Sequence, residues 1–282
     1  MIQVDLPGLT ITNELGQTGP ALRDIRNWFD SPEPRVDSDD RSNGDGSFDE
    51  GPTMWRARYP TILGEIVSND PEAVLDLHGT VMDIFANREQ FPVTVTTSRG
   101  ALTCMVRPGG KFEYPIEHEA GIALFTIPLI AADPIKYGAV VTSDTGLPSA
   151  GGGLIFNAPS NTDGTFDFGA PADLGRITLT NDGNADTWPI FTVTGYLEQG
   201  FFLNCLETGQ YLRFDRVVPA GSTVTINSKT WEVLIDGESP WILTRDDFFP
   251  VPAKSTRTVQ FNAISSGDSN AHLTALVASG NL

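Results

Sequence analysis

Apolar and polar residues trade places at every second position over most of this chain. The runs are short and are cut by glycine, proline and Asn-Gly or Asp-Gly pairs. A side-chain period of two belongs to a strand, and turn residues at this density predict short antiparallel strands. One segment breaks the pattern. In SNDPEAVLDLHGTVMDIFANRE, Asp70 is a good N-cap, Pro71 fits the first helical position and Glu72 complements the helix dipole. Val74, Leu77, Val81, Ile84 and Phe85 then form a helical apolar stripe, which predicts one amphipathic helix over about residues 71–87. The chain therefore reads as strands, one helix, then strands again.

Residues 143–171 interrupt the strands a second time. Gly, Ser, Pro, Asn and Asp dominate there without a sustained apolar period, which predicts a linker or arm. The expected division is a β-domain with its helix over 1–142, the linker, and a second β-domain over 172–282. In the second domain, turns are expected around Asn181-Asp182-Gly183-Asn184, Glu207-Thr208-Gly209 and Asp236-Gly237. Val224 and Ile226 should face inward, as should Val259, Phe261 and Ala263. Trp231 should share an inner face with Val233 and Ile235. Seven or more strands at regular spacing argue for a β-sandwich or jelly roll.

At 282 residues the chain can bury one large core or two ordinary ones. A net charge of −18 argues against a nucleic-acid-binding surface, which needs a basic footprint. No apolar run is long enough for a transmembrane helix, and the N-terminus shows no secretory signal. Cys104 and Cys205 form no CxxC pair and are expected to be isolated buried thiols.

Little in the sequence points to catalysis. His78, His118 and His272 form no cluster, and HExxH and GxSxG are missing. Gly151-Gly152-Gly153 do not lead into a P-loop lysine. No cofactor is expected. The stretch DDRSNGDGSFDEGP, residues 39–52, has the composition of a calcium loop. With Gly44 at the sixth position, Asp39, Asn43 and Glu50 take ligand positions, but Arg41 falls where an oxygen is needed. The stretch reads better as a long polar hairpin loop ahead of a strand.

The order of elements resembles the distal tail proteins of long-tailed (siphovirus) bacteriophages. The resemblance rests on Leu22-Arg23-Asp24-Ile25, on the Asp45-Gly46 turn followed by MWRARYP and TILGEI, and on the helix. The strand FTIPLIAADPIKY, with its Asp133-Pro134 and Tyr137, is the most family-like piece. The second half, entering at Asn181 to Gly195, is similar to the family's galectin-like sandwich. The turn Val251-Pro252-Ala253-Lys254-Ser255 departs from the family's Pro-Gly pattern.

The resemblance implies a mainly β structural protein of the virion, with an N-terminal sandwich-like ring domain and a C-terminal galectin-like sandwich. Six copies would form a ring between the tail-tube protein and the baseplate hub or tail-associated tip protein. Genomic DNA would pass through the channel without specific binding, and no membrane insertion is implied. Asp45, Gly46, Arg56 and Arg58 are then candidates for ring contacts or a lumen loop. The rival expectation is a carbohydrate-binding sandwich used in host attachment, with Trp188 and Trp241 at its rims. It ranks below assembly, because the resemblance is to the sandwich and not to a sugar-reading motif.

Overall fold

A computed structural model describes residues 1–14, 19–35, 40–48, 51–68, 70–86, 88–117, 122–149, 174–238 and 242–282. They form two compact units, Met1–Gly138 with Asn281–Leu282, and Ala139–Gly280. Among the described residues the architecture is mainly β with one helix, as the alternation predicts.

The first unit contains β1 (Gln3–Leu6), β2 (Leu9–Thr12), β3 (Pro20–Arg26), β4 (Pro34–Arg35), β5 (Met54–Trp55), β6 (Thr61–Val67), α1 (Pro71–Ala86), β7 (Phe91–Thr97), β8 (Gly100–Pro108), β9 (Ile116–Glu117), β10 (Ile122–Ile130) and the start of β11 (Lys136–Gly146). Its pairings close on themselves. From β8 the ladder runs through β7, β1, β2, β3, β6 and β10, and β10 returns to β8 at Leu129–Pro108 and Ile130–Arg107. Closure leaves these strands no free edge. Alternate residues point inward, among them Val4, Ile11, Ile62, Val93, Cys104, Phe125 and Ile127. A bulge between Leu22 and Asp24 inserts one residue in β3, so Leu22 and Ile25 both reach the core although they are three apart. At Gly64, on the inner face of β6, any Cβ would overlap the Phe125 ring, so the missing side chain makes room for a larger one.

The helix forms where its capping residues place it. Asp70 Oδ1 accepts the Glu72 N–H at 3.0 Å. Val74, Leu77, Val81 and Ile84 are buried in the same core as the strands, and Phe85 packs against Phe112. The Tyr114 hydroxyl donates to the Val74 carbonyl at 2.6 Å, and burial pushes its pKa up to about 12.

The second unit continues β11 from Ala139 and adds β12 (Arg176–Asn181), β13 (Ile190–Thr194), β14 (Phe201–Cys205), β15 (Tyr211–Phe214), β16 (Thr223–Asn227), β17 (Glu232–Ile235), β18 (Arg245–Asp246), β19 (Ser255–Ala263) and β20 (His272–Asn281). One sheet runs β17-β16-β13-β20-β11 and the other β12-β19-β14-β15-β18. Phe191, Val193, Val224, Ile226 and Leu273 from the first sheet meet Leu203, Leu212, Phe214, Val259 and Phe261 from the second in one core. This is a β-sandwich. The expected turns are present, with Gly209, Asp236 and Gly237 all at positive φ. Both cysteines are buried, and neither is in a disulfide.

Two details differ from the sequence reading. Residues 143–146 belong to β11 rather than to a linker. Residues 150–171 of that segment lie outside the described residues. Trp231 is not in the core. The Asn227 side chain caps a turn by accepting the Lys229 and Thr230 N–H groups, and Trp231 closes that turn at φ +59°. The β17 ladder starts one residue later, at Glu232. Val233 is buried as expected, but the Trp231 ring is 70% exposed.

Candidate functional site

Between β3 and β6 the chain makes an excursion with an apolar surface. Pro34–Arg35 pairs with Met54–Trp55, and nearer the tip Asp40 bridges Ser47 while Arg41 donates its N–H to the Gly46 carbonyl at 3.0 Å. The polar stretch around Asp45 is thus a hairpin tip, and Gly46 supplies its positive φ. Asp39 and Glu50, two positions of the calcium frame, lie outside the described residues. Phe29, Phe48, Met54, Trp55 and Tyr59 are all exposed, and the Arg41 guanidinium lies over the Phe48 ring. Single exposed apolar residues are ordinary, but five large ones within one excursion are not.

Of the four candidates named here, Asp45, Gly46 and Arg56 lie on this exposed surface. Arg58 does not. It is 2% exposed, and its guanidinium donates to the carbonyls of Asn27, Trp28 and Asp30 through Nη1, at 2.9, 3.1 and 2.6 Å, and to Pro134 through Nε at 3.0 Å. The sequence carried the signal. Arg58, Pro60, Ile62, Gly64 and Ile66 alternate in register, and all five point inward. An arginine at the start of such a series is a core residue whose charge needs internal partners.

Lys136 approaches the same loop. Its ammonium donates to the Trp28 carbonyl at 2.8 Å and lies 5.9 Å from the centre of the Trp28 ring. Burial, and after it the Arg58 charge, lower its pKa from 10.5 to about 8 against the opposing pull of Cys104 and Asp30. The unfolded chain therefore holds more protons than the folded one between about pH 8 and 10.5. Stability should rise with pH across that window, and Lys136→Met should flatten the rise. Melting curves of both chains at several pH values check this, and parallel profiles would contradict it. The neighbouring Tyr137 hydroxyl donates to Asp133 at 2.9 Å, and burial with that carboxylate pushes the phenol pKa well up.

The second unit has a cleft of about 530 Å³ lined by Trp188, Trp231, Val233, Ile242, Leu243, Asp246, Asp247 and Phe248. Trp231 and Phe248 are nearly parallel, 18° apart with centroids at 6.4 Å. Trp188 is half-buried in this cleft, and Trp241 lies outside the described residues. Sequence reasoning missed the membership of Trp231. The turn signal Asn227-Ser228-Lys229 just before it was the available clue.

Residues 182–270 match the family model described as the siphovirus-type tail component, C-terminal domain. Over its whole length the chain has the fold of the SPP1 Dit protein, described as a paradigm of the hub adsorption apparatus in phages that infect Gram-positive hosts. The TM-score is 0.66 at 12% identity, with 100% of each chain covered. A chain of the phage P2 baseplate, in its activated conformation with Ca, is similar at a TM-score of 0.52 and 9% identity, covering 99% of this chain and 98% of that one. No curated protein sequence matches. The resemblance to the distal tail family, drawn from the order of elements, is borne out.

Proposed function

We propose that this chain is a structural protein of a long-tailed phage's tail tip. It forms a ring, of six copies in this reading, that joins the tail tube to the baseplate or tip proteins and leaves a channel for DNA. The fold shared with the SPP1 hub protein over the full chain carries the proposal. The family match over residues 182–270 supports it independently of fold. In this reading the first unit makes the ring, and the second meets the tip partners. The protein acts in the virion by assembly rather than by catalysis.

The exposed stripe on the β4–β5 hairpin is the proposed subunit contact. A closed ring uses heterologous interfaces, so this stripe should seat on a different patch of the neighbour. Burying a large apolar side chain stabilises by about 1.5–3 kcal/mol. The double variant Met54→Ser/Trp55→Ser should therefore shift the chain from ring to monomer while its circular dichroism spectrum stays native. Multi-angle light scattering of both chains, alone and with the tube protein, tests this. A wild-type chain that stays monomeric under every condition would sink the ring. A variant ring as stable as the wild type would remove the hairpin from the contact.

A further inference from the structure

We propose that the cleft of the second unit binds a neutral saccharide. Trp231 is held as a binding platform rather than packed. Its backbone is fixed at φ +59° by the capped turn, and its ring lies nearly parallel to Phe248. Trp231 is 70% exposed with the Phe248 ring stacked beside it, so it offers an open aromatic face, and Trp188 lines the same cleft. A pyranose has one face of C–H groups that suits the electron-rich face of such rings, and a rim of hydroxyls that must find acceptors. Asp246 and Asp247 line the cleft and can supply them. Asp247 is itself held by Arg245, whose Nε donates to it at 2.6 Å and whose guanidinium lies 4.0 Å from the centre of the Tyr211 ring. One acceptor is thus fixed before a ligand arrives, which lowers the ordering cost of binding.

The rim chemistry selects among ligands. Two carboxylates in a chain of net charge −18 disfavour an anionic polymer. A quaternary ammonium is recognised by rings that surround it, whereas Trp231 and Phe248 are stacked nearly parallel to each other. A neutral sugar ring fits both constraints. Sequence alone placed Trp231 in the core, and moving it to the cleft is what assembles the site.

The test is isothermal titration of the full chain with neutral trisaccharides of glucose, galactose, rhamnose and N-acetylglucosamine, with hyaluronate and choline as controls. At least one neutral trisaccharide should bind, and neither control should. Trp231→Ala and Trp188→Ala should each weaken binding by about tenfold or more. Trp231→Ala should leave the melting temperature unchanged, because the ring is exposed. Asp246→Asn, which keeps the aromatic floor, should weaken binding less. Silence from every neutral trisaccharide would overturn the proposal, as would binding of choline alone or binding that survives both tryptophan variants. The titration reads binding and not assembly, so its failure with an intact ring leaves the tail-tip function standing.

Discussion

Replacing Asn181 by leucine should unfold the second unit under conditions in which the wild-type chain is intact. Asn181 is fully buried at the end of β12. Its amide nitrogen donates to the carbonyls of Ala185, Val251 and Pro252, at 2.8, 3.0 and 3.2 Å. Its oxygen accepts the N–H groups of Gly183 and Gly280, at 3.0 and 3.1 Å. One side chain thus ties the turn after β12, the segment before β19 and the end of β20 together. The approach is close, since a Cβ on Gly183 would overlap the Gly280 carbonyl. Leucine has a similar volume but leaves these backbone groups without the partner they have now. A buried unsatisfied group costs about 1–3 kcal/mol, and several at once place the loss at about 3–5 kcal/mol. That is a large part of the ~5–15 kcal/mol that holds a typical domain. Hydrogen exchange should show β12 and β20 amides losing protection together while the first unit keeps its own. A loss below about 1 kcal/mol would mean that water replaces the amide and that Asn181 does not hold these three segments together.

The parts of this fold that depend on neighbours in sequence were legible. Asp70, Pro71 and the Val74–Leu77–Val81–Ile84 stripe fixed the helix, because capping and amphipathicity are local properties. Gly209 and Asp236-Gly237 marked turns for the same reason. Closure of the first unit was not legible. It depends on β10 meeting β8 at Leu129–Pro108, and nothing in the alternation of either strand names its partner. The β3 bulge hid in the same way, since Leu22 and Ile25 break the period that would otherwise reveal their shared face.

Sites divided along the same line. Asp45, Gly46 and Arg56 are exposed because polar turn chemistry puts them there, while Arg58 looked like another hairpin charge until its register with Ile62 was followed inward. Trp231 was misplaced for the opposite reason. The period of Val233 was carried two residues too far, across a turn that the strand does not include.

Arg58→Leu should be the most damaging substitution in the first unit, and its effect should reach the hairpin. The wild-type guanidinium bonds to carbonyls on both sides, Asn27, Trp28 and Asp30 on one and Pro134 on the other. Its own N–H and C=O pair with Ala131, so it also locks the end of β10 to the segment leading into β6. Hydrogen bonds to a charged group are worth about 1.5–3 kcal/mol each, and losing the set together should cost about 3–5 kcal/mol. Arg58→Lys should recover little, because one ammonium cannot reach acceptors that a planar fork serves in different directions. The carbonyls of residues 27–30 sit at the base of the excursion that carries Phe48, Met54 and Trp55. Loosening that base should free the stripe from its fixed presentation although Arg58 itself is buried. Limited proteolysis of Arg58→Lys should therefore cut first within the hairpin, ahead of α1 and the second unit. Light scattering of the same chain should show weaker assembly at a temperature where its circular dichroism is still native. A variant that melts, resists protease and assembles like the wild type would show that the four carbonyls are as well served without the guanidinium, and that the hairpin is held by its own strand pair.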